Sequence, residues 1–132
     1  MDIPEGFARH DRTSAVTDPW EPLYARRADA RVELALRIAD AHCNSRGFLH
    51  GGVIATLADN AMGLTLGAAT RRGGAVTVSL SVDYVAAAKL GQWLQVEPRL
   101  VRVGGAIGFV DALVTADGEA VARANATFKL VS

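Results

Sequence analysis

The run from Gly51 to Thr70 restricts this chain more than any other segment. Between Arg46 and Arg71 it carries a single formal charge, Asp59. Its many Ala and Leu residues favour a helix. Val53, Leu57, Ala61 and Leu64 recur at helical spacing, while Ile54, Ala55, Ala58 and Met62 occupy other faces. A helix apolar nearly all round has to be buried on nearly all sides. Gly63 and Gly67 would each cost about 1 kcal/mol against Ala, so they predict places where another backbone approaches closely. The run is not a membrane span: Asp59, Asn60 and its Gly and Thr residues interrupt it, and a span wants about 20 strongly apolar residues.

The rest of the chain supplies strands to cover this helix. Val32, Leu34, Leu36 and Ile38 alternate with Glu33, Ala35 and Arg37, the period of a half-buried strand. After the helix, Val76, Val78, Leu80, Val82 and Tyr84 alternate with Thr77, Ser79, Ser81 and Asp83. Gln92–Val103 reads as a further strand, bent or bulged near Pro98. Gly104-Gly105 turns it into Ala106–Ala116, and Asp117-Gly118 turns that into Glu119–Val131. On this last strand Ala120, Ala122, Ala124, Ala126, Phe128 and Leu130 share one expected face. Residues 1–30 hold three of the four prolines and no period, and read as an irregular arm with at most a short helix. The expectation is one α+β domain over residues 1–132, an antiparallel sheet curled around one long central helix. One sheet cannot cover so apolar a helix, so a second copy is expected to cover the rest.

Charge and cysteine usage exclude several functions. Lys and Arg number 14 and Asp and Glu 14, giving a net charge of zero. Nucleic-acid binding by counterion release needs a basic face and is not expected. The single Cys43 excludes an intrachain disulfide and a multi-cysteine zinc site, and His10, His42 and His50 have no metal-ligand spacing with the acids. No cofactor is implied. The charged opening residues contain no apolar core of a secretory signal, so a soluble, cytoplasmic protein is expected. Arg72-Gly73-Gly74 and Gly104-Gly105 lack the Lys-Ser/Thr of a phosphate loop, and there is no Gly-x-Ser-x-Gly elbow.

Two features can carry chemistry. Asp59 in a buried helix faces a desolvation cost of several kcal/mol unless it is paired or hydrogen-bonded. It is a structural hydrogen-bonding group, a solvent-facing residue or a working carboxylate. Upstream, His50-Gly51-Gly52 opens the helix. There, unpaired N–H groups and the positive end of the dipole can hold an oxyanion, and glycines let a ligand approach the backbone.

The stretch Asn44-Ser45-Arg46-Gly47-Phe48-Leu49-His50-Gly51-Gly52, followed by Asp59-Asn60 on the helix, resembles the signature of hotdog-fold acyl-CoA thioesterases. It is most similar to the phenylacetyl-CoA (PaaI-like) branch. Val76–Tyr84 and Ala88-Lys89-Leu90-Gly91 extend the resemblance, which runs from about Val32 to Leu130. The resemblance implies hydrolysis of an acyl-CoA to carboxylate and free CoA. It gives Asp59 the role of general base or nucleophile, and Gly51 that of the backbone N–H polarising the thioester carbonyl. It also implies that Asn44 helps orient the carbonyl or the attacking group, that Thr77 helps hold the water, and that His50 supports the loop or the site. Gly52, Asn60 and Met62 are implied substrate contacts, with Lys89 and Arg102 as candidates for the CoA phosphates. Two positions depart from the pattern: Ala87 stands where a proline is common, and the acid is Asp rather than the Glu of some relatives.

Helix geometry adds a condition. Gly51 and Asp59 are eight residues apart, about 12 Å along one axis, whereas a general base works within about 3 Å of its proton. One carbonyl can use both only if two antiparallel helices bring Gly51 of one copy beside Asp59 of another. A homodimer is therefore the least assembly, and a dimer of dimers is expected. The rival functions are a hotdog hydratase or dehydratase, which would need a His beside the acid, and a non-catalytic acyl-CoA binder. The acyl group is expected to be a small aryl or a medium chain.

Overall fold

The computed structural model describes residues 2–131. The apolar run forms one helix, α1, over Gly51–Thr70, with the expected bounds. Seven strands accompany it: β1 (Ala8–Arg9), β2 (Tyr24–Ala28), β3 (Arg31–Arg37), β4 (Gly74–Tyr84), β5 (Trp93–Val103), β6 (Ile107–Ala116) and β7 (Glu119–Val131). They make one antiparallel sheet in the order β1-β2-β3-β5-β6-β7-β4, and α1 packs against β3 to β7. The core lies between helix and sheet. Leu57, Ala61, Met62 and Leu66 of α1 meet Leu34, Leu36, Leu94, Val96, Val110, Val114 and Phe128, all fully or nearly fully buried. Each large side chain buried there contributes about 1.5–3 kcal/mol. Ala122, Ala124 and Ala126 keep β7 thin where the helix crosses it, and at Gly108 a Cβ would stand 2.6 Å from both Leu66 methyls.

The arm is more ordered than its sequence indicates. It contains β1, a 3-10 turn at Asp18–Trp20 and β2, which pairs with β3 through a tight connection at Asp29-Ala30. The arm lies over the outer face of β3, where Phe7 meets Trp93 edge-on at 5.4 Å. Because of this cover, β3 is buried on both faces rather than half-buried. Glu33, 1% exposed, is held there by Arg26 Nε and Arg31 Nη2, each 2.6 Å from one carboxylate oxygen. A buried carboxylate survives because two charge-assisted bonds replace its water.

Three β-bulges set the outward and inward faces. On β5 the irregularity falls at Val101, between Leu100 and Arg102, not at Pro98, which stays in register opposite Ala112. The β3 pairing ends at Val96, so beyond it a missing N–H costs β5 nothing on that side. On β7 an extra residue at Val121 moves Ala120 off the core face; Ala120 is exposed while Ala122 is buried. The third bulge lies on β4 and shapes the site. Gly63 and Gly67 also differ from expectation. The Cβ position of Gly63 meets only the Phe128 ring at 3.5 Å, and that of Gly67 meets nothing within 4 Å. Within one chain these glycines leave room beside the helix instead of admitting another backbone.

Candidate active site

Asp59 sits half-buried on the face of α1 turned toward β4. Strict alternation along β4 would put Thr77 on the opposite face from Leu80, Val82 and Tyr84. The bulge at Val78 changes that: Thr77 pairs with Phe128, while Leu80 pairs with Ala126. Phe128 and Ala126 both face the helix, and directly paired residues share a face. Thr77 therefore turns inward with Leu80 and Tyr84. Its Oγ1 donates to Asp59 Oδ1 at 2.6 Å, a charge-assisted bond that fixes the carboxylate's orientation.

This pair opens onto a cavity of about 560 Å³. Asn60, Gly63, Leu64 and Gly67 of α1 line it together with Phe128 of β7, and His10, Arg12 and Thr13 of the arm also line it. The room left by Gly63 and Gly67 is part of this cavity. Asn60 lies beside Asp59 as expected. Met62 does not: it is fully buried in the core, about 160° round the helix from Asn60.

The helix start forms a second centre. His50 is the N-cap of α1, and its Nδ1 accepts from Gly52 N–H at 2.9 Å. This bond fixes the ring's tautomer, with the proton on Nε2. It also commits the Gly52 donor, so Gly52 cannot offer its N–H to a ligand, and Gly51 N–H is the first-turn donor left for a carbonyl. Tyr84 Oη donates to the Gly51 carbonyl at 2.6 Å, and its ring lies within 3.1–3.2 Å of where a Gly51 Cβ would stand. Sequence reasoning assigned Tyr84 no role; its place as the inward-facing end of β4 was the available signal. Asn44 organises the preceding loop, its Oδ1 accepting from Arg46 N–H at 2.9 Å and Phe48 N–H at 3.2 Å.

The two phosphate candidates separate. Lys89 is exposed beside this loop, bridged to Phe48. Arg102 pairs with Phe109 on the outer face of the sheet, away from the helix and from both centres. The arm residues His10, Arg12 and Thr13 were missed because an aperiodic segment gives no sign of what it covers. Among the described residues no three His, Cys, Asp or Glu side chains gather as a metal site requires, and no helix is long and apolar enough to cross a membrane.

Residues 46–122 match the family model described as the Thioesterase superfamily. The Pseudomonas aeruginosa protein PA0474, which carries an esterase name, is 35% identical over 132 residues, covering 98% of each chain. Human acyl-coenzyme A thioesterase 13 is 30% identical over 76% of this chain and 73% of its own. Among solved structures, smu.793 from Streptococcus mutans bound to acetyl CoA is 33% identical, with a TM-score of 0.72 over 78% of this chain and 82% of that one. With its long helix wrapped by an antiparallel sheet, the chain belongs to the thioesterase superfamily and has the hotdog fold.

Proposed function

We propose that this protein is an acyl-CoA thioesterase whose active site is completed by a second copy of the chain. The observation that carries the reading is the Asp59–Thr77 hydrogen bond at the mouth of the cavity. A carboxylate oriented by a hydroxyl, beside space for an acyl group, is suited to taking a proton from water. Gly51 N–H, at the positive end of α1, is suited to the oxyanion that forms on the thioester carbonyl. The carbonyl oxygen rests on the partner's Gly51 N–H while Asp59 deprotonates the attacking water. The tetrahedral intermediate collapses to carboxylic acid and CoA thiolate, which takes up the proton. The acetyl CoA bound to the Streptococcus mutans relative and the name of human acyl-coenzyme A thioesterase 13 support CoA esters as the substrate class. The motif's likeness to the PaaI-like branch supports a small aryl or medium-chain acyl group.

The edge of the sheet supports the dimer. β4 is eleven residues long, pairs only with β7, and exposes Val76, Val78, Leu80 and Tyr84. An open apolar edge of that length is normally paired or protected. Two β4 strands meeting about a twofold axis would extend the sheet and run the two helices antiparallel.

A hydratase would need a His beside Asp59 free to exchange a proton; His50, which a second copy would bring there with Gly51, has Nδ1 already committed to Gly52 N–H. Free-thiol release from acyl-CoAs by wild type and Asp59→Asn tests the reading. Turnover that falls about a hundredfold or more in the variant, with dimer and fold intact, is expected. Changed unsaturation without free thiol would replace it with hydration, and acyl-CoA binding without turnover would replace it with a binder.

A further inference from the structure

The cavity beside Asp59 has an unbalanced lining. Arg12, Arg27 and Arg72 all line it, and Asp59 is the only acid that does. Among the described residues Arg12 has no ion-pair or hydrogen-bond partner. Arg27 has only Asp11, at 3.9 Å on an exposed side chain, and Arg72 Nη1 donates to the Gly105 carbonyl at 3.1 Å, a neutral acceptor. Several arginines elsewhere are closely paired with carboxylates. Arg26 and Arg31 clasp Glu33 at 2.6 Å, and Arg123 holds Asp83 at 2.8 Å. The three cavity arginines come from two places in the arm, the stretch after β1 and the strand β2, and from the connection after α1, so local sequence does not explain their convergence. The arm adds the hydroxyls of Thr13, Ser14 and Thr17 to the same wall. Three guanidinium groups and several hydroxyls around one space lined by a single carboxylate suit a planar or tetrahedral oxyanion.

We propose that the arm-side wall of the Asp59 cavity binds an oxyanion carried by the substrate, with Arg12 and Arg27 as its principal ligands. The inference rests on the thioesterase reading and adds to it. The substrate has a negative group within reach of the catalytic carboxylate's cavity, and the arm belongs to the binding site rather than merely covering the sheet. Two parts of an acyl-CoA have this chemistry: the phosphates of CoA and a carboxylate at the far end of the acyl group.

The test is the Arg12→Gln/Arg27→Gln variant, which changes exposed side chains only, assayed on pentanoyl-CoA, pentanoyl-pantetheine and glutaryl-CoA. Losing charge-assisted bonds predicts a KM raised about tenfold or more for substrates carrying the recognised anion, with kcat little changed. If the anion is a CoA phosphate, KM rises for both CoA esters and not for the pantetheine ester. If it is the acyl carboxylate, KM rises for glutaryl-CoA alone. KM unchanged for all three overturns the proposal. Binding of S-(4-carboxybutyl)-CoA, a thioether that has both anions and cannot be hydrolysed, separates this site from the thioesterase reading. Calorimetric affinity weakened about tenfold in the variant supports the anion site even if no thioester is turned over. Equal affinity, or no binding by wild type, refutes it.

Discussion

Gly51→Ala separates stability from catalysis. An added Cβ would stand 3.1 Å from Tyr84 Cζ and 3.2 Å from its Cε1 and Oη. Tyr84 must therefore retreat by a few tenths of an ångström, and its ring, 52% exposed at the end of an edge strand, has room to do so. The retreat loosens the 2.6 Å hydrogen bond to the Gly51 carbonyl, at a cost of about 1 kcal/mol. Against it, alanine in place of glycine in a helix gains up to about 1 kcal/mol. The two nearly cancel, so Tm should move by less than about 5 °C. Activity has no such offset. The methyl group stands beside the N–H assigned to the oxyanion, and losing one such donor costs about 10²–10³ in kcat. Thermal melting and thiol release on the same preparation test both halves. A variant that keeps activity within about threefold of wild type would show that Gly51 N–H does not stabilise the transition state.

Other predictions follow from the same contacts. Thr77→Val removes the donor to Asp59 and should lower kcat about tenfold, while Thr77→Ser restores most of it; equal loss in both variants would point to packing rather than to the hydroxyl. Burial holds the His10 imidazole below its ordinary 6.5, against the opposing pull of Asp11. The unfolded chain then binds more protons than the folded one just below that pH. Stability should therefore rise with pH up to about 6.5 and level off above it. His10→Gln should flatten that rise, and identical Tm-against-pH slopes for the two proteins would contradict the assignment.

The sequence reveals long-range periodicity and short turn signals well, and poorly reveals what one segment does to another. α1 was legible because an apolar run punctuated by one charge has few places to go. The Asp117-Gly118 turn was legible because both residues adopt positive φ, 48° and 85°, as the two-residue hairpin requires. The motif also pointed to Asp59 and Thr77, but not to how they meet. The bulge at Val78 that turns Thr77 inward leaves no mark in a perfectly alternating strand. Bulges misled the reading twice more, placing the irregularity at Pro98 instead of Val101 and Ala120 on a face it does not share. The half-buried expectation for β3 failed because an aperiodic arm covers its outer side. Met62 was read from its neighbourhood in the motif, whereas its helical phase points it into the core.

Asp59 of one protomer is proposed to work with Gly51 of its partner, and mixing of two variant subunits distinguishes this from a site within one chain. On this proposal, Asp59→Asn and Gly51→Ala would each disable both sites of their own homodimer. In a mixed dimer, one site combines the two lesions, while the other joins an intact Asp59 to an intact Gly51. Random equal mixing makes about half of the dimers mixed, so thiol release should recover to about a quarter of wild type. Recovery to that level is the predicted result. No recovery, with mixed dimers demonstrably formed, would place both groups in one chain's site and contradict the account.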